Sequence, residues 1–267
     1  MDIDKYVEIL KREIESGKVR RDDAFDWIRA LSCHRYRFDR IVAAIPEGLA
    51  NFEILDVGTS YFTVFLKLRF PNYHFSTIDQ TPLHEGECRL NGIHFLAWDL
   101  AKQPIPLEDS SYDLIVFTEV LEHVLARPSL ILSELSRILK PGGKMIVSVP
   151  NVATLYNRIR LLFGKGPSED FDRQLKGFGH VHEYTMAEVA SLLDRAGLAV
   201  LQKEFIHPTS LLDKAGLAAL QKEFIHPRSF ATENLLYKGF MPFHQLLCAM
   251  VPSFRGCIFL ICEKRRD

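Results

Sequence analysis

The chain has 267 residues, of which 47% are hydrophobic and 25% charged, and its formal net charge at pH 7 is −1. This balance is typical of a globular protein, and it excludes a disordered chain and a strongly basic nucleic-acid-binding protein. The five cysteines are odd in number and lack C-x-x-C spacing, which argues against a disulfide framework and a zinc site. The N-terminus is charged from its first turn, and no apolar run is long enough to span a bilayer. We therefore predict a cytoplasmic protein with no metal site, no nucleic-acid partner and no stable membrane insertion.

Residues 1–50 predict an N-terminal helical extension, because Ile3, Tyr6, Leu10 and Ile14 recur at helical spacing. From residue 51 the pattern changes to short apolar runs, each followed by a helical stretch. Alternating strands and helices indicate βαβ units and a parallel sheet. We therefore assign 51–267 to one α/β domain, with predicted strands at 54–57, 75–78, 95–98, 114–117 and 145–149.

The second half of the chain continues the alternation. Pro128 can open a helix at its first turn, and we expect the segment 140–143 to stop that helix and turn the chain. A helix is predicted around Leu155, and another after Thr185, which forms a capping-box pattern with Glu188. The last apolar run, 257–262, predicts a further strand.

Residues 192–210 are followed at once by a near-copy, 211–229, which differs at only three positions. Two copies are too few for a solenoid, so we interpret the repeat as a local duplication. The first copy is predicted to finish the helix that begins at Thr185 and then to form a strand at 198–205. The sheet edge needs only one such strand, so the second copy is predicted to continue as helix over 211–224 and to be an insertion outside the core of the domain.

Acidic residues mark the ends of four successive predicted strands, namely Asp56, Asp79, Asp99 and Glu119. The carboxyl ends of parallel strands meet at one rim of a sheet, which is where ligands bind in open α/β folds. A carboxylate after the second strand can accept both ribose hydroxyl protons, which favours a nucleoside ligand. The alternative is that these acids only cap the helices that follow them.

The segments ILDVG, STID, AWDL, YDLIVFTEVLEHV and LKPGGKMIVSVPN resemble the successive motifs of class I S-adenosylmethionine-dependent methyltransferases, particularly the bacterial small-molecule branch. The resemblance runs from residue 53 to 151 and continues more weakly to 206. It implies a Rossmann-like fold with a mostly parallel seven-stranded sheet and helices on both faces. It also implies an enzyme that transfers a methyl group from S-adenosylmethionine to a small-molecule acceptor, while the acceptor itself and the oligomeric state stay open.

The same resemblance implies which residues contact the cofactor. The methionine part would lie at the end of the first strand, the ribose at the second, the adenine at the third and the sulfonium at the fourth. The residues in that order are Asp56 and Gly58, then Asp79, then Trp98, Asp99 and Leu100, and then Glu119.

The loop after the first strand departs from the family pattern Asp-x-Gly-x-Gly-x-Gly. Ser60 stands where a glycine allows the backbone to approach the ligand, and its small side chain can substitute there. Phe62 replaces the next glycine, so its ring either displaces the following helix or fills part of the pocket.

Methyl transfer from a sulfonium needs a base only if the acceptor must lose a proton. His123 is the first candidate base, and His180 and His182 form a second pair. The alternative for each histidine is local packing or a hydrogen bond to backbone.

Three other functions are alternatives to this prediction. An NAD-dependent oxidoreductase needs a G-x-G-x-x-G loop, but Gly58 is the only glycine here. A base-modifying methyltransferase would carry an Asn/Asp-Pro-Pro-aromatic element where this chain has 118–121. A catalytically inactive methyltransferase-like binding or scaffold protein stays open, because Phe62 departs from the pattern.

Overall fold

The computed structural model describes residues 2–16, 28, 34–167, 179–206, 247–248 and 250–266. Within these ranges, no helix combines the length and hydrophobicity that a bilayer span requires. The strands are β1 Glu53–Val57, β2 His74–Asp79, β3 His94–Ala97, β4 Tyr112–Thr118, β5 Leu139–Pro150, β6 Leu198–Ile206 and β7 Cys257–Lys264. The helices are α1 Ile3–Glu15, α2 Arg35–Ala44, α3 Tyr61–Arg69, α4 Glu85–Leu90, α5 Pro128–Ile138, α6 Leu155–Leu162 and α7 Met186–Arg195.

The described strands form one seven-stranded sheet in the order β3-β2-β1-β4-β5-β7-β6. Strand β7 runs antiparallel to both of its neighbours, whereas the pairs from β3 to β5 are parallel. The predicted α/β class and mostly parallel sheet are therefore confirmed. The chain winds outward in opposite directions from β1 and β4, and this switch in strand order opens a crevice at the carboxyl ends of the strands.

Helices cover both faces of the sheet because its strands are hydrophobic on both sides. Along β4, Leu114 and Val116 belong to one core cluster, which also contains buried residues of α1 to α4. Ile115 and Phe117 face the opposite cluster, which contains buried residues of α5 and α7. The continuous apolar run in this strand thus reflects burial on both faces.

The N-terminal helices belong to the first of these clusters. Asp2 caps α1 by accepting a hydrogen bond from the Lys5 backbone N–H at 2.8 Å, and the helix buries Ile3, Tyr6 and Leu10. The Tyr6 hydroxyl donates to the carbonyl of Tyr61 at 3.0 Å, so α1 is tied to the start of α3. The helical spacing of Phe25, Ile28 and Leu31 predicts a further helix in the N-terminal extension, and that segment lies mostly outside the described residues.

The segment 140–143 differs from its prediction. Helix α5 stops at Ile138 as expected, but β5 begins at once and runs through the segment instead of following a separate turn. Gly142 has a φ of 77°, and the β4–β5 register shifts between Tyr112 and Leu114, so the segment forms an irregular start to the strand. The two glycines permit this backbone path without interrupting the sheet.

The first copy of the duplicated segment folds as predicted. Thr185 and Glu188 form a capping box at the start of α7, which ends at Arg195. Gly197 then turns the chain with a φ of 79°, and β6 follows. The prediction for the second copy, 211–229, lies outside the described residues.

Candidate functional site

A cleft of about 690 Å³ lies at the carboxyl ends of the strands, where the strand order switches. Its wall contains most of the strand-end residues that the sequence singles out. The lining residues named by the sequence are Gly58, Asp79, Trp98, Asp99, Leu100, Glu119 and His123. Three of the four strand-end acids, Asp79, Asp99 and Glu119, therefore line one cavity.

Gly58 fits its position because no other residue could occupy it without strain. Its φ is 89°, a conformation that side chains with a Cβ rarely adopt. A Cβ at this position would lie 2.6 Å from Cγ2 of Val120. The Gly58 N–H donates to the carbonyl of Ile78 at 3.0 Å, so the bare backbone of the loop is held at the edge of the cleft.

Asp79 is oriented by the loops on either side of it. Its Oδ2 accepts a hydrogen bond from the Thr59 N–H at 2.9 Å, and its Oδ1 accepts from the Thr81 N–H at 2.8 Å. The Thr59 hydroxyl is in turn 2.7 Å from that of Thr77. Oδ1 also accepts from the Thr81 hydroxyl at 3.1 Å, so Oδ2 is the oxygen that keeps a further lone pair, and the group lines the cleft. This arrangement suits a carboxylate that accepts protons from a ligand diol.

Asp56 and Ser60 are placed behind the cleft, because neither lines it. The Ser60 Oγ accepts from the Phe62 N–H at 3.2 Å and caps α3. The Thr63 hydroxyl donates to Asp56 Oδ2 at 2.6 Å, and Asp56 is only 4% exposed. Burial raises the pKa of Asp56 to about 7, although the hydrogen bond from Thr63 opposes the shift. Both residues thus act on the geometry of the loop and of α3.

The Phe62 ring points into the protein core. It is 3% exposed and does not line the cleft. Its centroid lies 4.2 Å from that of Phe38 in α2 and 5.6 Å from that of Phe65 in α3. The phenylalanine that replaces a family glycine therefore fills the space between α3 and the N-terminal helices, and it leaves the cleft open.

Trp98, Asp99 and Leu100 form the wall of the cleft after β3. The Trp98 backbone N–H donates to the carbonyl of Asp79 at 2.8 Å, which joins the ends of β2 and β3. Asp99 Oδ1 accepts from the Ala101 N–H at 2.9 Å. An apolar side chain on each side of a carboxylate suits a flat heterocycle with polar edges.

Glu119 directly follows β4, has a φ of 54° and lines the cleft. Its Oε1 accepts from the Ser148 hydroxyl at 2.8 Å, and its Oε2 lies 2.8 Å from Nη1 of Arg37. Arg37 extends from α2 and is 9% exposed. The N-terminal helices thus supply a buried cation to the site, and the sequence contains no motif from which this pair could be predicted.

Beyond Glu119, a 3₁₀ turn at Leu121–His123 brings two histidines together. The rings of His123 and His180 lie 4.9 Å apart, centroid to centroid, in a T-shaped arrangement. The backbone N–H of Val181 donates to the carbonyl of Glu122 at 2.7 Å, which fixes the segment carrying His180 against the turn. His182 points away from this pair and contacts the Tyr184 ring at 4.5 Å.

Burial dominates the electrostatics beside the two histidines. Glu122 is 1% exposed, and burial and then the Glu119 carboxylate raise its pKa to about 8. Burial and then His180 lower the pKa of His123. The hydrogen bond to Glu183 raises the pKa of His180. The sequence predicted no role for Glu122, although this residue directly precedes the candidate base His123 in the segment EVLEHV.

A second pocket of about 600 Å³ adjoins the cleft. The two cavities share Val124, Leu125 and Val181. The second pocket is lined mainly by apolar side chains, with His182 and Arg195 among its polar groups. The site therefore has a cofactor-sized cleft and an adjoining, more apolar space.

Three features of the cleft fit S-adenosylmethionine. Gly58 brings bare backbone to the cleft with Val120 packed where a Cβ would lie, Asp79 presents a preoriented carboxylate, and the β3 wall suits an adenine. The sheet order, with its one antiparallel strand, and this cleft define the Rossmann-like methyltransferase fold.

Comparison with known proteins agrees with this class. The sequence profile of the methyltransferase domain family matches residues 29–203, and the chain belongs to that family, whose cofactor is S-adenosylmethionine. A probable S-adenosylmethionine-dependent methyltransferase of Mycolicibacterium smegmatis is 36% identical over 122 residues, which cover 46% of this chain and 41% of the relative. A tRNA N(3)-cytidine methyltransferase of Gallus gallus is 31% identical over 173 residues, 59% of this chain and 45% of the relative. The chain thus matches less than half the length of these curated relatives.

A solved structure shows the same fold. One chain of the Haloferax volcanii complex between the Trm112 methyltransferase activator and a methyltransferase aligns with a TM-score of 0.59 and 19% identity. The alignment covers 89% of this chain and 93% of that chain. At this identity the likeness concerns the fold alone.

Proposed function

We propose that the chain is an active enzyme that transfers a methyl group from S-adenosylmethionine to a small-molecule acceptor. The observation that carries the proposal is the continuity of one cleft, which runs from Asp79 and Asp99 past Glu119 to His123. A ligand held at the acids would thus end beside the histidine pair and the second pocket. Cys88, Cys257 and Cys262 are buried thiols that form no disulfide within the described residues, which is consistent with a reducing compartment such as the cytoplasm.

Each wall of the cleft has a separate part in this proposal. Gly58 and Asp79 would hold the methionine and ribose parts, and Trp98, Asp99 and Leu100 would enclose the adenine. S-adenosylmethionine supplies a methyl group that its sulfonium already activates, so the protein has mainly to bind, orient and exclude water. Asp56 and Ser60 support that task through Thr63 and the cap of α3.

The acceptor would enter through the adjoining pocket. Its lining is mainly apolar, so an acceptor with a hydrophobic or aromatic part fits it best. His123 lines the cleft and precedes Val124, which both cavities share, and His182 lines the second pocket. A neutral histidine at either position could accept a proton from an acceptor hydroxyl or amine.

Two alternatives remain testable. An RNA acceptor is favoured by the relative that is named a tRNA methyltransferase, although the net charge of −1 offers no general attraction for phosphates. Incubation with labelled S-adenosylmethionine and either total tRNA or a small-molecule extract separates these acceptors. An inactive scaffold is the second alternative, and the position of Phe62 outside the cleft argues against it.

Isothermal titration with S-adenosylhomocysteine tests the proposal. We expect the wild-type chain to bind one equivalent. Asp79→Ala should weaken binding by about 1.5–3 kcal/mol, the range for a hydrogen bond to a charged group. Glu108→Ala, at an exposed acid outside the cleft, is the matched control and should bind normally. No binding by the wild-type chain would contradict the function, and unchanged binding by Asp79→Ala would contradict the placement of the ribose.

A further inference from the structure

Glu122, His123 and His180 each direct a ligand-type atom into one small space. One atom from each side chain, a ring nitrogen or a carboxylate oxygen, lies within 4.8 Å of the other two. We propose that these three residues form a binding site for a divalent transition-metal ion at the end of the cleft that His123 lines, the histidine end. The sequence predicted no metal site, because its cysteines lack metal-binding spacing.

Hydrogen bonding defines which nitrogen each histidine offers. The Nδ1 of His123 lies 3.3 Å from the carbonyl oxygen of Gly179, which can only accept, so Nδ1 carries the proton. The Nδ1 of His180 lies 3.0 Å from Oε1 of Glu183, so it donates to that carboxylate. Both rings therefore keep the Nε2 lone pair free. Metal-bound histidines typically have such a backbone carbonyl or carboxylate on their other nitrogen.

The carboxyl group of Glu122 provides an independent indication of a ligand. The residue is 1% exposed, and its Oε2 has no hydrogen-bond partner among the residues that the structure describes. Its Oε1 lies 3.9 Å from Nε2 of His123, too far for a hydrogen bond. A buried carboxyl oxygen without a partner is costly, and a bound cation would satisfy it.

The geometry requires only a small contraction. Ligand atoms at about 2.0–2.2 Å from a metal are about 3–4 Å from one another, so these side chains need to move by less than about 1 Å. Two histidines and one carboxylate leave further coordination positions open. His123 and the residues on both sides of His180, Gly179 and Val181, line the cleft, so an open position would face it.

This donor set selects among cations. Imidazole nitrogen suits zinc, iron, nickel and copper, whereas magnesium and calcium prefer oxygen ligands. A cation here would bind an oxygen atom of the acceptor and lower its pKa, so that the proton leaves to solvent more readily. This role in acceptor binding rests on the proposed methyl transfer, but metal binding itself does not.

Titration of the full chain with Co²⁺ tests the site. The protein should carry no polyhistidine tag and should first be stripped with a chelator and dialysed. We expect one equivalent of Co²⁺ to bind and to produce visible d–d absorption. His180→Ala and Glu122→Gln should each weaken binding by more than about 100-fold, because loss of a second-shell partner alone costs about 10–100-fold.

Two further variants make the result specific. His182→Ala removes a histidine two positions from His180 that contacts Tyr184 instead of the cluster, so its Co²⁺ affinity should match the wild type. Glu183→Gln weakens the partner of His180 and should lower affinity by about 10–100-fold. Circular dichroism confirms that each variant folds. If His180→Ala does not fold, Glu183→Gln still tests the metal site, because the Glu183 side chain is 20% exposed and its replacement disturbs the packing less.

The outcomes distinguish the metal site from the proposed methyl transfer. A wild-type chain that binds no Co²⁺, or a folded Glu183→Gln that binds it as tightly as the wild type, overturns the metal site. So does equal affinity in His180→Ala and His182→Ala. Binding of S-adenosylhomocysteine in the presence of chelator is measured separately. Its failure contradicts the methyltransferase proposal even if Co²⁺ binds, and its success leaves that proposal intact even if Co²⁺ does not.

Discussion

The two ends of the cleft differ in how far their polar groups are satisfied. At the cofactor end, both oxygens of Asp79 accept backbone hydrogen bonds, and Asp56 accepts one from Thr63. Towards the histidine end, one oxygen of Glu122 and the Nε of Arg37 are buried without hydrogen-bond partners within the described part of the chain. The polar groups of the first end are thus satisfied within the protein, whereas the second end keeps buried polar atoms that are not.

The difference follows from how each end is built. The cofactor end consists of loops that directly follow adjacent parallel strands, so neighbouring backbone groups orient the acids. The histidine end combines the 3₁₀ turn Leu121–His123, helix α2 and the segment before α7 that carries His180. Such an assembly depends on packing between distant elements, and the following variants measure that dependence.

The largest effect is expected from Phe62→Ala. Its ring joins α3 to the N-terminal helices, and removal of a buried phenylalanine costs about 3–5 kcal/mol. Urea unfolding measures the loss of stability. Phe163→Ala, at a phenylalanine 77% exposed, is the control and should change stability by less than about 0.5 kcal/mol. Tighter cofactor binding by a stable Phe62→Ala would instead indicate that the ring enters the cleft.

Next, Glu119→Gln should lower the free energy of unfolding by about 3 kcal/mol, because it leaves the charge of Arg37 buried and unpaired. The double variant Arg37→Met with Glu119→Gln should recover part of that loss. Glu85→Gln breaks an ion pair with Arg89 on the surface of α4 and should cost no more than about 0.5 kcal/mol. Equal effects at the two pairs would refute the buried role of Arg37.

Gly58→Ala should destabilise the protein by about 2 kcal/mol more than Gly48→Ala. Both glycines have positive φ values, 89° and 77°, but a Cβ would meet Val120 only at Gly58. The added variant Val120→Ala should relieve the clash and leave the conformational strain. Thermal unfolding of the three proteins is the measurement, and identical losses at the two glycines would show that the close contact is unimportant.

The smallest effect concerns pH. Burial raises the pKa of Asp56 from 3.8 in the unfolded chain to about 7, so the folded protein holds a proton that the unfolded chain releases. The stability that this bound proton contributes is fully present below pH 3.8 and is lost as the pH rises through 7. Between pH 5 and pH 6 the wild type should lose about 1 kcal/mol relative to Asp56→Asn. Parallel curves of stability against pH for the two proteins would contradict the shift.

Much of the cofactor end could be predicted from the sequence. Strands β1 to β4 were recognisable as short apolar runs, and their ends placed Asp79, Asp99 and Glu119 on one rim. The position of Asp56 behind the wall could not be predicted, because it depends on which side of the strand faces the cleft. The role of Phe62 was equally open, since its partner Phe38 lies in a different helix.

The sequence by itself determined the fold class and the rim of acids, because strand length, apolar runs and strand-end residues are local features that recur along the chain. Tertiary structure alone decided that Arg37 pairs with Glu119 and that His180 meets His123 and Glu122. These contacts join residues far apart in the chain, and no local propensity encodes them. They arise because the sheet and its two hydrophobic cores bring the N-terminal helices and the segment before α7 to the same end of the strands.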